Sequence, residues 1–154
     1  MKLPSPITGL QKGVDFIGVT CVFVCHDGTG RILLGKRSKN CRDEHGRWDP
    51  GGGSMEFGEN FEETIQREVT EEYRAAPQKI EFLNVRNVLR THLGKPTHWI
   101  AVDFSVLLDP AETTIGEPDK IDEIGWFTKD TLPENLHSQM PAYIPMLVEH
   151  GILK

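Results

Sequence analysis

Residues 51–75 decide the fold of this chain and read Gly-Gly-Gly-Ser-Met-Glu-Phe-Gly-Glu-Asn-Phe-Glu-Glu-Thr-Ile-Gln-Arg-Glu-Val-Thr-Glu-Glu-Tyr-Arg-Ala. A glycine-rich loop, whose backbone can approach a ligand closely, leads directly into a segment rich in carboxylates. Asn60 is a good N-cap residue, and Glu63 three positions later completes a capping-box pattern. The stretch therefore predicts a helix that begins at Phe61.

One face of this predicted helix is apolar, because every fourth residue is hydrophobic: Phe61, Ile65, Val69 and Tyr73. Pro77 disfavours helical geometry in the residue before it, so we expect the helix to end near Ala75.

Three glutamates of the same helix, Glu68, Glu71 and Glu72, stand at i, i+3 and i+4 and share one face. Like charges at this spacing destabilise an isolated helix. Clustered carboxylates suit a hard divalent cation, which would offset the repulsion. The alternative interpretation is a solvated acidic face, and the spacing alone leaves both open.

Gly53, Glu59 and the run Arg67–Glu72 have the spacing of the Nudix box, so the sequence resembles the Nudix hydrolases, in particular their small MutT-like members. Arg74 departs from the box, which has a glycine there for the exit from the helix. Pro50 also stands one place away from its usual position in the preceding Trp-x-Leu-Pro-Gly-Gly pattern. Weaker similarity continues through residues 117–133.

The resemblance implies an α/β fold, the Nudix-type α/β/α sandwich with a mixed β-sheet. It also implies that a divalent metal, Mg²⁺ or Mn²⁺, is held by Glu68, Glu71, Glu72 and the carbonyl of Gly52, beside Gly53. Glu68 or Glu71 is the candidate general base. Catalysis further involves an orienting ion pair of Arg67 with Glu59, and Glu123 is a further candidate ligand or base.

The activity implied is hydrolysis of a nucleoside diphosphate linked to another group. Our leading hypothesis is a nucleoside triphosphate, ordinary or modified, cleaved to monophosphate and pyrophosphate. ADP-ribose or another nucleotide sugar is the enzymatic alternative. Members that act on ADP-ribose carry a proline downstream of the box, where this chain has Arg90-Thr91-His92. A domain that binds a nucleotide without cleaving it is the alternative of another class.

The chain has 154 residues and a net charge of −6, and we expect a flexible arm over 1–13 followed by one domain over 14–154. The charge argues against a partner that is a nucleic acid polymer. No stretch is long and apolar enough to span a membrane. The 3 cysteines are expected to be reduced thiols in a cytoplasmic protein. The partner is then a nucleotide substrate, and a homodimer stays open.

A hairpin is predicted before the box. Residues Phe16–Cys25 are apolar on both faces, as in a central strand, Asp27–Gly30 supplies a turn, and Arg31–Lys36 is the returning strand. Arg37 opens a charged loop that leads into the glycines. The loop is either solvated or brings Arg37 to substrate phosphates.

A second pair of strands follows the box: Lys79–Leu93, a turn at Gly94–Pro96, and Thr97–Leu108. The last strand alternates, with His98 and the apolar residues on one face and Trp99, Ala101, Asp103 and Ser105 on the other. Trp99 and Asp103 either line a nucleotide pocket, or Trp99 packs in the core and Asp103 is exposed at the sheet edge.

The C-terminal part predicts a strand over Ile121–Thr128, a turn over Thr131–Leu136 and a helix over Ala142–His150 with Gly151 as its cap. The order of elements fits a mixed sheet between helices.

Overall fold

The computed structural model describes residues 9–154, and residues 1–8 of the predicted arm lie outside the described part. The described chain forms strands β1 (Gly18–His26), β2 (Ile32–Arg37), β3 (Trp48–Asp49), β4 (Gly51–Ser54), β5 (Lys79–His92), β6 (Lys95–Leu107) and β7 (Ile121–Phe127), and helices α1 (Phe61–Tyr73) and α2 (Met140–Glu149). The described part of the predicted arm contacts the domain: Lys12 Nζ donates to the carbonyl of Met55 (2.6 Å), and the Gly13 carbonyl accepts from the His98 amide (2.8 Å).

The strands form one mixed sheet with the order β3-β2-β1-β6-β5. The central pair β1 and β6 is parallel, and the other pairings are antiparallel. One side of β1 pairs with β6 along its full length, while the other side pairs first with β4 and then with β2. β1 is therefore the strand around which the sheet is built.

A helix covers each face of the sheet. On one face α1 buries Ile65, Val69 and Tyr73 against alternate residues of β1 and β6, such as Phe23 and Val102. On the other face α2 buries Met140, Tyr143 and Leu147 against a second set that includes Val24, Ile32 and Leu34. This arrangement is the predicted α/β/α sandwich, and the alternation along β1 divides its side chains between the two cores.

The first hairpin has the predicted order, although β1 and β2 each begin and end one or two residues later than expected. Asp27 holds the turn, because its carboxylate accepts from the amides of Thr29 (2.8 Å) and Arg31 (3.2 Å) and pairs with the Arg31 guanidinium (2.6 Å). Cys21 and Cys25 are buried free thiols, and Cys41 is also free.

Helix α1 begins where the capping box predicts, with Asn60 Oδ1 accepting from the Glu63 amide (2.9 Å) and Glu63 Oε2 accepting from the Asn60 amide (2.9 Å). It ends earlier than expected, at Tyr73, because Arg74 takes a left-handed conformation (φ 50°). Arg74 thus occupies the conformation that glycine adopts most readily at a helix C-terminus.

The turn between β5 and β6 lies one residue earlier than predicted. Leu93 and Gly94 both have positive φ, 51° and 77°, as a two-residue hairpin turn of type I′ requires, and Lys95 and Pro96 already belong to β6. The two predicted faces of β6 are confirmed, but the interpretation of Asp103 as exposed at a sheet edge is wrong. β6 lies between β1 and β5, and Asp103 is fully buried.

Helix α2 begins at Met140, two residues before the predicted Ala142. Pro141 is tolerated in the first turn, because the backbone nitrogens there have no partner within the helix and the proline nitrogen carries no hydrogen. Gly151 follows its end with φ 70°. Within residues 9–154 no helix is long and apolar enough to cross a membrane.

Candidate functional site

A cavity of about 640 Å³ opens at the boundary between β4, α1 and the β5–β6 hairpin. Its lining includes Gly51–Gly53 and the three glutamates of α1. It continues across the sheet to side chains of β5, β6 and α2: Arg86, Val88, Arg90, Trp99, Met140 and Tyr143. The cavity thus connects an acidic region with a region lined by aromatic, apolar and basic side chains.

The glycine loop brings the acidic helix face close to the sheet. A Cβ at Gly53 would lie 2.1 Å from the carboxyl carbon of Glu68, and a Cβ at Gly51 would lie 1.9 Å from the ring of Phe23. Both distances are far below van der Waals contact, so a side chain at position 51 would collide with the buried Phe23 ring, and one at position 53 would displace the Glu68 carboxyl group.

Arg67 connects the glycine loop with the acidic face. Its Nε donates to Glu59 Oε1 (2.6 Å), its Nη2 to Glu59 Oε2 (3.0 Å) and its Nη1 to Glu68 Oε1 (2.6 Å). The Arg67 guanidinium lowers the pKa of Glu59 to about 2. The ion pair that the resemblance implied is therefore present in the geometry, and it extends to Glu68.

The three α1 glutamates differ in exposure and in charge compensation. The Glu68 side chain is 13% exposed and that of Glu71 is 49% exposed. Burial raises the pKa of Glu68, against the opposing effect of Arg67. Burial, with the nearby charges of Glu68 and Asp49, raises the pKa of Glu72 well above its usual range, and Gly52 N approaches Glu72 Oε1 at only 3.5 Å.

These residues fit a hard divalent cation. Glu72 has no basic partner among the described residues, and the groups beside it are further carboxylates and a backbone amide. A cation bound by oxygen ligands would supply the missing positive charge. The carboxylate oxygens of Glu68, Glu71 and Glu72 do not all lie within 4.8 Å of one another, and Glu68 Oε1 is bound by Arg67 (2.6 Å).

Residues 114–117 hold the C-terminal end of this helix in place. The amides of Thr114 and Gly116 donate to the carbonyls of Tyr73 (3.0 Å) and Glu72 (2.7 Å). A Cβ at Gly116 would lie 2.0 Å from the carbonyl oxygen of Glu71, so the contact requires glycine. The same segment brings Glu117 into the cavity lining, where its charge contributes to the raised pKa of both Glu68 and Glu72.

Arg37 lines the cavity, but its guanidinium is already engaged. It donates to Asp49 Oδ2 (2.9 Å), to Asp43 Oδ1 (3.0 Å) and to the Asp43 carbonyl (3.0 Å). Its contacts fix the charged loop to β3, so a phosphate would have to compete with two carboxylates for it.

Asp43, Glu44 and His137 are the one group of three acidic or histidine side chains within residues 9–154 whose ligand atoms lie within 4.8 Å of one another. Arg90 donates to Glu44 Oε2 (3.0 Å) and lies 3.6 Å from Asp43 Oδ2, while His137 Nε2 is 2.6 Å from Glu44 Oε2. Because arginines already neutralise these carboxylates, the group is better explained as an ion-pair network than as a metal centre.

Trp99 and Asp103 face the same side of the sheet but meet different surroundings. Trp99 lines the cavity, and its ring lies against the backbone at Gly13 and Gly18, where a Cβ would approach it to 2.1 and 2.5 Å. Asp103 lies beneath the cavity and accepts from Nε of Arg86 (2.9 Å). Arg86 rather than Asp103 therefore reaches the lining.

Glu123 is not among the residues that line the cavity. It pairs with Lys36 on the neighbouring strand (3.0 Å), and its side chain is 58% exposed. His98, which the alternation of β6 assigns to the opposite face, lies 3.0 Å from Asn87 Oδ1 through Nε2.

Arg86, Glu117 and Tyr143 are among the cavity residues that were not singled out for the site from the sequence. Arg86, Val88 and Arg90 stand at alternate positions of β5, so they share one face of the strand. This pattern predicts that Arg86 lies near the site only once the register of β5 with β6 is known. Glu117 lies in a loop without periodicity, and Tyr143 lies on a helix that is distant in sequence from Arg86 on β5. The local sequence around Glu117 or Tyr143 therefore does not predict that either residue lies in the site.

Comparisons of this chain with known proteins identify its family and its structural relatives. The family model described as the NUDIX domain matches residues 16–147. A protein of Danio rerio named oxidized purine nucleoside triphosphate hydrolase is 26% identical over 134 residues, which cover 78% of this chain and 73% of that protein.

Two solved structures share the fold. The MutT NUDIX hydrolase from Burkholderia pseudomallei superposes with a TM-score of 0.73 at 29% identity, over 85% of this chain and 98% of that one. The MutT protein from Methanosarcina mazei Go1 superposes with a TM-score of 0.71 at 22% identity, over 87% and 94% of the two chains. With the match over residues 16–147, the chain belongs to the Nudix family, the hydrolases of phosphoric anhydride bonds.

Proposed function

We propose that this protein is a metal-dependent nucleoside triphosphate pyrophosphohydrolase that releases a nucleoside monophosphate and pyrophosphate. The observation that carries the proposal is the single cavity that joins the α1 glutamates to Arg86, Trp99 and Tyr143. A triphosphate needs a cation-dependent region for its charge and a partly apolar region for its base, and both are present in one continuous space.

The metal-binding residues in this proposal are Glu68, Glu71, Glu72 and the carbonyl oxygen of Gly52, which would hold Mg²⁺ or Mn²⁺. When bound, the metal neutralises phosphate charge and lowers the pKa of a coordinated water. Without a cation these carboxylates would repel the phosphates, so the acidic region and the substrate are compatible only through one.

The remaining residues of the box position these ligands. Arg67 holds Glu59 and Glu68 at 2.6 Å each, so it aligns the glycine loop with the helix. Gly53 leaves the room that the Glu68 carboxyl group occupies. In this proposal Arg67 and Glu59 are positioning residues, and neither needs to touch the phosphates.

A general base is needed to take the proton of the attacking water, and Glu68 and Glu71 are the candidates. Glu68 Oε1 is bound by Arg67 at 2.6 Å, whereas Glu71 Oε2 lies 3.7 Å from the same guanidinium. The greater exposure and looser pairing of Glu71 favour it as the group that accepts the proton.

The name of the Danio rerio relative supports a triphosphate, including an oxidised purine triphosphate, as the substrate class. Nudix members that act on ADP-ribose carry a proline in the region downstream of the box where this chain has Arg90. In this structure Arg90 pairs with Glu44 and Asp43. Arg90 therefore belongs to the ion-pair network of the charged loop.

The test is a substrate panel with Mg²⁺ and then Mn²⁺, with products resolved by chromatography. The panel contains ordinary and oxidised nucleoside triphosphates, ADP-ribose, nucleotide sugars and dinucleoside polyphosphates, and a chelator serves as control. We expect monophosphate plus pyrophosphate from a triphosphate, abolished by the chelator. Preferential cleavage of ADP-ribose would overturn the substrate class, and binding without turnover of any compound would overturn the activity.

A further inference from the structure

We propose that Arg86 is a specificity-determining residue that selects nucleobases carrying a carbonyl oxygen over bases carrying an amino group at the same position. The inference rests on the proposed function, because it assigns the region of the cavity far from the glutamates to the base. It concerns the choice of base and not the cleavage itself.

Strand register places Arg86 at a suitable distance from the glycine loop. Arg86 on β5 is opposite Ala101 on β6, Ala101 is opposite Thr20 on β1, and Thr20 is opposite Ser54 on β4. Three strand spacings separate the two ends of this row, which corresponds to about 14 Å. An extended nucleotide with its phosphates at the glycine loop would bring its base to Arg86.

The walls around Arg86 suit a flat, partly apolar group. Val88, Trp99 and Met140 line this part of the cavity together with the ring of Tyr143. Val88 and Met140 supply apolar contact area, and Trp99 and Tyr143 add aromatic area with one polar atom each. Arg86 is the cationic donor beside them, and we assign the polar selection to it.

Arg86 is held rigidly from below. Its Nε donates to Asp103 Oδ2 (2.9 Å), and its Cζ lies 5.0 Å from the centroid of the Tyr143 ring. Asp103 is fully buried, so its charge requires the guanidinium beside it. A guanidinium fixed in this way recognises a ligand with little loss of conformational entropy.

The guanidinium of Arg86 keeps donor capacity for a ligand. Nε is used by Asp103, and Nη2 is buried without a hydrogen-bond partner among residues 9–154. The side chain is 24% exposed and lines the cavity, so we assign the contact with the base to Nη1. A guanidinium nitrogen donates and does not accept, so it matches a carbonyl oxygen and leaves an amino group unpaired.

Hypoxanthine and adenine provide the matched pair of bases, because they differ at position 6 and both lack the 2-amino group of guanine. We expect the wild-type protein to bind inosine monophosphate at least about tenfold more tightly than adenosine monophosphate in calorimetric titrations. The same ratio is expected in kcat/KM for the two triphosphates.

Arg86→Gln tests the residue, since the amide can still donate to Asp103 and offers a carbonyl oxygen instead of a donor. We expect the ratio of affinities to fall to about one or below. Val88→Ala is the control in the same strand and should weaken both monophosphates alike. Should Arg86→Gln not fold, Arg86→Lys keeps the charge at Asp103 but lacks the second nitrogen, so the ratio should fall there too.

The readouts separate this inference from the proposed function. Equal hydrolysis of inosine and adenosine triphosphates with equal monophosphate affinities would overturn the role of Arg86 and leave the activity intact. Selective monophosphate binding without hydrolysis of any triphosphate would support Arg86 and overturn the activity. An unchanged ratio in a folded Arg86→Gln variant would show that the Arg86–Asp103 pair is only structural.

Discussion

At the scale of single residues, Arg67 determines how the acidic face of α1 is held. Sequence spacing predicts its pairing with Glu59, and the structure adds the contact with Glu68 Oε1 at 2.6 Å. The second contact could not be predicted, because residues 67 and 68 are adjacent and their side chains ordinarily diverge on a helix. Gly53 packs directly against the Glu68 carboxyl group, and this neighbour belongs to the folded structure and not to the local sequence.

Arg67→Lys should lower kcat about ten- to a hundredfold and leave KM nearly unchanged. A lysine keeps the charge but cannot hold Glu59 and Glu68 at once through separate nitrogens. Steady-state kinetics at saturating metal measure the split between kcat and KM. A variant with wild-type kcat would contradict the positioning role, and a melting temperature close to wild type would exclude simple unfolding.

Asp27 makes a pH-dependent contribution to stability. Burial raises its pKa, but hydrogen bonds from Thr29 and Arg31 outweigh this and lower the pKa to about 2, against about 4 in an unfolded chain. The folded state therefore favours the charged carboxylate. Its contribution is complete above about pH 4 and is lost as the pH falls toward 2.

Asp27→Asn should accordingly lower the free energy of unfolding by about 1 kcal/mol at pH 7, because the ion pair with Arg31 is lost. Urea unfolding at a series of pH values measures it, with the exposed Asp130→Asn as the control. The gap between wild type and variant should close between pH 4 and pH 2, and a gap that widens there would contradict the assignment.

At the scale of elements, the sequence predicts each helix and most strands, and the differences occur at their ends. The turn at Leu93–Gly94 was expected one residue later, because Pro96 is a strong turn signal while leucine is rare at positive φ. Pairing of β5 with β6 over their whole length fixes the register and forces Leu93 into that conformation. Local preference is overridden here by long-range pairing.

Arg74, at the end of α1, is a second residue other than glycine that has positive φ. Its φ of 50° and ψ of 29° are in the left-handed region, where glycine is unstrained. Arg74→Gly should raise the free energy of unfolding by about 0.5–1 kcal/mol and leave activity unchanged.

Chemical denaturation of wild type, Arg74→Gly and Arg74→Ala measures this effect. The alanine variant should resemble wild type in stability, which would show that the gain comes from the backbone conformation and not from removal of the arginine side chain. A glycine variant less stable than wild type would contradict the strain argument.

At the scale of the whole molecule, the site depends on contacts that no local pattern contains. Register across four strands places Arg86 in one row with Ser54. The network of Glu44 with Arg90 and His137 ties the charged loop to β5 and to the segment before α2. The sequence predicts that the α1 glutamates share one face, because helix periodicity is a local pattern. Arg86 and the Glu44 network come together only when the sheet is folded, so no local pattern predicts their positions.

We propose above that the α1 carboxylates support metal-dependent cleavage of a triphosphate. The rate of pyrophosphate release from a nucleoside triphosphate, measured as Mg²⁺ is titrated, tests this for wild type, Glu72→Gln and Glu62→Gln. Glu62 is exposed in the first turn of the same helix and serves as the matched control.

We expect Mg²⁺-dependent release in wild type and Glu62→Gln, and at least about a hundredfold slower release in a folded Glu72→Gln protein. Wild-type rates in Glu72→Gln, or release that persists in excess chelator, would contradict the claim.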